Sequence, residues 1–275
     1  MVTKIIAVSD LHIRKLLGLD EAKEQLGKFM DECRKIVAEN GEESTRIVIA
    51  GDLLHSKLST SGEMYQVLFW LLSSLDEICK TIIIAGNHDL NMSNLDRVDS
   101  ITPVFDMSKF KRVTFLDKEC GYKSAAVVDD NIVWCLYSTF DNFDGPKNME
   151  VLKSQHPDKT FIGLFHGDLN GAKNAAGAAL TGLEPKHFVG TDFVIAGHIH
   201  KSQEIETNGV KLVYCGSLIQ QNFGEDVSGH GYILWDVPNK AWEMFEIPNE
   251  SRGYFKFKVT CEDDIEEDKE VLLNA

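Results

Sequence analysis

Short apolar runs alternate with longer amphipathic ones through the first third of the chain. KIIAVS (4–9), RIVIA (46–50) and TIIIA (81–85) are β-branched and apolar at successive positions, the pattern of strands buried on both faces. The intervening segments 20–39 and 60–79 carry helical spacing. Strands and helices in this order predict parallel βαβ units. In the second helix Met64, Leu68, Leu71, Leu72, Leu75 and Ile78 form one stripe, and Tyr65, Phe69 and Trp70 widen it beyond the ~100° that a core-facing helix needs. That helix is either deeply buried or leaves a face for a partner. From about residue 111 the runs shorten, to strands at 112–116, 124–128 and 132–137, a helix near 147–155, and strands at 160–165 and 193–196. Beyond 200 the pattern is that of a β-meander: 203–207 and 210–214 across Asn208-Gly209, then 231–236 and 242–247 across Pro238-Asn239. Asn-Gly between two alternating runs is a strong hairpin signal. With no internal repeat and no Ser/Pro-rich linker, one layered α/β domain over 1–249 is expected, and 250–275 begins something else.

Polar chemistry gathers where the strands end. Asp10 and His12 follow the first, Gly51, Asp52 and His55 the second, and Gly86, Asn87, His88 and Asp89 the third. His166 follows 160–165, and Gly197, His198 and His200 follow 193–196. Six of the nine histidines thus stand at strand carboxyl ends, where open α/β sheets place ligand sites. Any one of these clusters alone is an ordinary turn. Five in one chain, each at a strand end, are not five coincidental turns. The donors are two carboxylates, one amide oxygen and at least four imidazoles, with no thiolate. Such a mixed nitrogen and oxygen set suits Mn²⁺, Fe²⁺ or Zn²⁺ better than Ca²⁺ or Mg²⁺, and it exceeds what one ion needs. Two divalent ions sharing a bridging carboxylate are the economical solution, an arrangement suited to displacement at phosphorus.

Charge first argues against nucleic acid: the chain is −15 at pH 7, whereas duplex binding rests on a basic face. The run EDDIEEDKE (262–270) concentrates seven of the acids, and bound divalent ions would reverse the local sign at the site. Whole-chain charge therefore says little about the site. It does imply weak DNA binding by this chain alone, since basic clusters are few: Arg14-Lys15, Lys109 to Arg112 and Lys256 to Lys258. The six cysteines never approach a CxxC spacing and are expected to be buried small hydrophobes in a reducing compartment. The apolar run at the N-terminus is too short for a signal peptide or a membrane span, so a cytoplasmic protein with no membrane partner is expected.

The ordered series D-x-H, G-D, G-N-H-D, H, G-H-x-H over 10–200 resembles the calcineurin-like metallophosphoesterase superfamily. Within it the chain is similar to the SbcD-type nuclease subunits of double-strand-break repair, in bacterial or phage form. GDLLH (51–55) resembles that family's GD-apolar-apolar-H, where many relatives carry GDxxD. FVGTDFVIAGHIH (188–200) and the Gly216-Ser217 turn with its closing strand GHGYILWDV (229–237) resemble its later segments. The resemblance implies a layered sandwich of two mixed β-sheets flanked by helices. It implies Asp10, His12 and His200 on a first metal, Asn87, His166 and His198 on a second, and Asp52 bridging. Mn²⁺ would be the expected ion, with Fe²⁺ and Zn²⁺ as alternatives. It gives His88 the leaving oxygen as proton donor or transition-state stabiliser, and His55 the positioning of a DNA end. His156, His187 and His230 match no ligand position and are expected to be surface or structural. The implied activity is Mn-dependent exo- or endonucleolytic hydrolysis of DNA in recombination and repair. The implied partners are DNA, an SbcC-type ATPase, and a second copy docked through helix 60–79 with Leu95, Val98, Ile101 and Val104. Family members continue into a DNA-capping domain and an ATPase-docking segment. Here SRGYFKFKV (251–259) resembles only the entry to the cap, so 250–275 is expected to start a cap or an acidic tail. The competing readings are a phosphoesterase of small substrates and, from another class, a phosphoesterase fold used as a non-catalytic scaffold.

Overall fold

All twelve apolar runs read as strands form strands in the computed structural model, which describes residues 1–14, 18–207, 209–249 and 253–254. Apart from Gly253 and Tyr254, the expected cap or tail, with Cys261 and the Lys256 to Lys258 cluster, lies outside the described residues, as does Lys15. The strands build two six-stranded sheets. In the first, β1 (Lys4–Val8), β2 (Thr45–Ala50), β3 (Thr81–Ile84) and β4 (Val113–Phe115) run parallel. β11 (Gly231–Asp236) and β12 (Ala241–Glu246) extend that sheet antiparallel from β1. The second sheet has β6 (Ile132–Tyr137), β7 (Thr160–His166), β8 (Phe193–Gly197) and β10 (Val210–Tyr214) in parallel, edged by antiparallel β5 (Ala125–Asp129) and β9 (Gln203–Thr207).

The period of two along each strand explains the layering. Ile5 and Ala7 of β1, Val48 and Ala50 of β2 and Ile82 and Ile84 of β3 point into the space between the sheets, where they meet Trp134, Leu136, Ile162, Leu164 and Ile195. Their alternates Ile6, Val8, Ile47, Ile49 and Ile83 face α1 (Leu19–Asn40) and α2 (Gly62–Ile78). The other face of the second sheet packs Val133, Phe161, Phe165 and Phe188 into a separate core. At the end remote from the strand carboxyl termini, Arg46 of β2 crosses to Asp129 of β5 and binds it through Nε (2.9 Å) and Nη2 (3.2 Å). Lys80 Nζ (2.8 Å) and Trp134 Nε1 (3.2 Å) donate to the same carboxylate.

Three differences from expectation have local causes. The four strands beyond 200 are not one meander: β9 and β10 belong to the second sheet, while β11 and β12 return to the first. A hairpin signal pairs neighbours and carries no information about which sheet receives them; Asn208 itself lies outside the described residues. The stripe on α2 is buried as expected, but Phe69 is 51% exposed and Tyr65 and Trp70 are half-buried, so burial covers only part of that helix. Among the residues expected to flank it as a seam, Leu95 and Ile101 pack against the core, Val104 packs into it while also lining the hollow between α2 and α3 (Thr102–Met107), and Val98 stays exposed. Cys33, Cys79, Cys135 and Cys215 are buried as free thiols and Cys120 is half-buried. Among the described residues no helix is long and apolar enough to cross a membrane.

Candidate active site

The carboxyl ends of β1, β2, β3, β7 and β8 meet at one edge of the sandwich, so both sheets contribute to one cluster. Asp10, His12 and His200 present ligand atoms within 4.8 Å of one another, as do Asp52, His166 and His198. Asn87 joins the second group, its Oδ1 lying 3.2 Å from His166 Nε2 and 2.9 Å from His198 Nδ1. Asp52 Oδ2 stands 3.6 Å from His12 Nε2 and 3.3 Å from His166 Nε2, so one oxygen faces both groups. All seven side chains named as ligands are therefore brought together. Their chemistry fits two divalent ions: His12 Nε2 and His200 Nε2 converge to 3.1 Å, close enough for one cation to take both nitrogens.

Backbone geometry aims these groups. Asp10 (φ +53°), His12 (+43°), Asp52 (+54°) and His198 (+95°) all sit in the left-handed region, a conformation that costs non-glycine residues ~1–3 kcal/mol and that clusters at functional sites. Two glycines are needed for close approach. A Cβ on Gly51, itself at φ +92°, would lie 2.7 Å from Cγ of His166, and one on Gly86 would lie 2.7 Å from Cγ of Asp52. Amide donors then fix the carboxylates: His198 N donates to Asp10 Oδ2 (2.9 Å) and His88 N to Asp52 Oδ1 (2.8 Å). His166 gives its Nδ1–H to the Ala50 carbonyl (2.7 Å), which fixes the ring with Nε2 pointing at the cluster.

Burial and mutual charge set the protonation. Burial pushes His12 well below its ordinary pKa, and it lowers His198, helped by His166 nearby. Burial also works against charge on His166, but the Asp52 carboxylate outweighs it and raises that imidazole; the same pairing overrides burial at Asp52 and holds its carboxyl low. Burial raises Asp10. His12 and His198 are thus held neutral, and Asp52, which faces both groups, is held negative.

His88 and His55 stand beside the first group. Their rings stack at 5.7 Å, and each meets His12 edge-on, at 4.8 Å and 5.5 Å. His88 Nδ1 donates to the backbone carbonyl of His55 (2.6 Å). The His55 main chain thus anchors His88, while its imidazole, lowered in pKa by burial and by Arg14, lines an adjoining depression of about 390 Å³ with Arg14, Ser56, Ser59 and Gln221. A second depression of about 350 Å³ opens on the other side of the cluster, lined by Asp168, Asn174, His198, His200 and Asn222. The three remaining histidines lie outside the cluster: His230 is buried between Ser217 and the Asp226 carbonyl, His187 reaches the Phe143 carbonyl, and His156 ends α5 (Met149–Gln155).

Sequence reasoning missed two carboxylates. Asp89 is fully buried and accepts from Leu53 N (3.2 Å), Leu54 N (3.1 Å) and Gly86 N (3.0 Å), tying the loop after β2 to the loop after β3. Its place in GNHD was the available signal. Glu225 accepts from His200 Nδ1 at 2.7 Å, and no motif marks it.

A family model described as calcineurin-like phosphoesterase matches residues 3–202. Uncharacterized protein R555 of Acanthamoeba polyphaga mimivirus is 34% identical over 264 residues, covering 93% of this chain and 19% of that protein. The chain therefore spans about a fifth of that relative's length. Among solved structures, TT1561 of Thermus thermophilus superposes with a TM-score of 0.51 at 12% identity, over 88% of this chain and 98% of that one, a likeness of fold.

Proposed function

Because the chain belongs to the calcineurin-like phosphoesterases, a family of hydrolases that bind divalent metals, we propose that it is a Mn²⁺-dependent DNA phosphodiesterase, an SbcD-like nuclease subunit. The observation that carries the diester reading is the pair of depressions, one on each side of the ligand cluster. A phosphomonoester has one substituent to place, whereas a diester has two, which diverge from the scissile phosphorus. Each depression falls within the ~300–1,000 Å³ range of sites that accept small-molecule-sized groups.

The roles of the chain's own residues follow from their bonds. Asp10, His12 and His200 form one set of donors, Asn87, His166 and His198 the other, and Asp52 faces both. When bound there, two divalent ions would supply a Lewis acid for the phosphoryl oxygen and lower the pKa of the attacking water. His88, with Nδ1 anchored on the His55 carbonyl, offers Nε2 for proton exchange with the leaving oxygen. The His55 imidazole and the Arg14 guanidinium in the larger depression face a substituent or a neighbouring phosphate. At −15 overall, this chain is expected to hold DNA weakly, and an SbcC-type ATPase or a second copy would supply the grip. For the second copy we propose the apolar hollow of about 530 Å³ between α2 and α3, lined by Tyr65, Phe69, Pro103 and Met107.

The test is one panel with Mn²⁺: linear duplex, circular single-stranded DNA and small phosphoesters, with Asp52→Asn and His88→Ala as contamination controls. Cleavage of DNA that both variants lose is the expected result. Cleavage confined to small phosphoesters refutes the nuclease reading and leaves a small-substrate phosphoesterase.

A further inference from the structure

Glu225 lies in the loop between β10 and β11, 25 positions after His200, and its side chain is only 3% exposed. Buried carboxylates are rare unless their oxygens are occupied, and here both are. Oε1 accepts from His200 Nδ1 (2.7 Å) and from Asn222 Nδ2 (2.6 Å), and Oε2 accepts from Gln221 N (2.8 Å). The Glu225 carbonyl also receives Gln220 Nε2 (3.0 Å). On the opposite side of the imidazole, His200 Nε2 is 3.1 Å from His12 Nε2 and 3.7 Å from Asp10 Oδ1.

A histidine that spends its Nδ1–H on a carboxylate is locked in one tautomer and one ring orientation, with the Nε2 lone pair available to a cation. The same carboxylate reaches further. Gln221, held by its amide on Glu225, accepts the Arg14 guanidinium through both its carbonyl and its Oε1, each at 2.8 Å. Arg14 and Gln221 form part of the wall of the larger depression. One continuous chain of bonds thus runs from a ligand of the first metal position, through Glu225 and Gln221, to the cationic group in the substrate cleft.

We infer that Glu225 is a positioning residue: it orients His200 toward the first metal position and couples that position to the Arg14 wall of the cleft. The inference rests on the metal-dependent reading of the site and does not require that DNA be the substrate. Glu225→Gln keeps the shape and one acceptor oxygen but turns an amide NH₂ toward a donor, either the Gln221 N–H or the His200 and Asn222 groups. Glu225→Ala removes every acceptor. Loss of such an outer carboxylate typically weakens a metal site ~10–100-fold.

The experiment is Mn²⁺ titration of the whole chain by calorimetry, read alongside the electron paramagnetic resonance spectrum, with circular dichroism confirming that each variant is folded. Wild type is expected to bind two ions and give the multiline signal of a coupled Mn²⁺ pair. Glu225→Ala is expected to lose affinity ~100-fold at one site only and to give a six-line mononuclear spectrum at one equivalent. Glu225→Gln is expected to fall between the two. With excess Mn²⁺, turnover should recover in both variants while KM stays raised, because the Arg14 wall remains loosened; a purely structural role would not divide the parameters in this way. Two unaltered binding steps and a coupled spectrum in folded Glu225→Ala would overturn the assignment alone. A wild type that binds fewer than two ions would overturn the two-metal reading and the assignment with it.

Discussion

Replacing Asp89 with alanine tests how the ligand loops are held. Its carboxylate accepts three backbone N–H groups, from Leu53, Leu54 and Gly86, and no water reaches it in a fully buried position. A buried donor left without a partner costs ~1–3 kcal/mol. Three orphaned amides would therefore cost ~3–9 kcal/mol if nothing compensated. Compensation exists: burial, with the Asp52 charge nearby, lifts the Asp89 carboxyl to a pKa of about 7, so removing it also relieves a desolvated group. The low end applies, and Asp89→Ala is expected to lose ~3 kcal/mol, with Asp89→Asn losing ~1–2 kcal/mol because one acceptor oxygen survives. Urea unfolding in the presence of a chelator measures this without a contribution from metal. Because Asp52, Asn87 and His88 ride on the two loops, Mn²⁺ affinity should fall in the same variants. An Asp89→Ala protein within ~0.5 kcal/mol of wild type, with unchanged Mn²⁺ affinity, would refute the account of these loops.

Other outcomes follow from the same geometry. Gly51→Ala drives a Cβ into the His166 ring and against the Gly86 Cα (2.9 Å) at φ +92°; calorimetry should show loss of Mn²⁺ binding in a chain whose circular dichroism is retained, and normal titration would exclude the close-approach explanation. Asp129 is opposed by burial but held down to a pKa of about 2 by Arg46, Lys80 and Trp134, a shift worth about 2 kcal/mol. Since the folded-state value lies below the unfolded one of 3.8, that stability is complete above about pH 4 and disappears as pH falls through about 2. The gap between wild type and Asp129→Asn in urea should close over that window, and a gap independent of pH would contradict it. Thermal melting with Mn²⁺ at a hundredfold excess over Kd should gain ~2.7 kcal/mol for each occupied site over a chelated sample; identical curves would mean that the cluster takes up no Mn²⁺. Light scattering at micromolar concentration should give twice the mass of one chain, and a clean monomer would remove the α2 seam.

Much of this was readable from residue order because strands and their carboxyl-terminal motifs are local objects. β1, β2 and β3 announce themselves by β-branched runs, and each hands the chain to a motif within two residues. Long-range choices were not readable. Nothing in GYILWD says that β11 pairs with β1 across the molecule, because an antiparallel partner is selected by the hydrophobic face it completes, not by a code in the strand. Glu225 illustrates the same limit at the site, since its value comes from loop geometry 25 positions away from His200. His55 shows a subtler one: the anchor it provides for His88 is its main-chain carbonyl, a group that every residue possesses and that no sequence pattern marks.

His12 and His200 touch across 188 positions of sequence, and this separation has a consequence for biosynthesis. At ~5–20 residues per second, about 10–40 s pass on the ribosome between the two. Through that interval Asp10, His12, Asp52, Asn87 and then His166 emerge without His198 and His200, which complete the two groups. Neither set of donors is therefore complete until the segment after β8 has emerged, and both are completed by the same short stretch, His198 to His200.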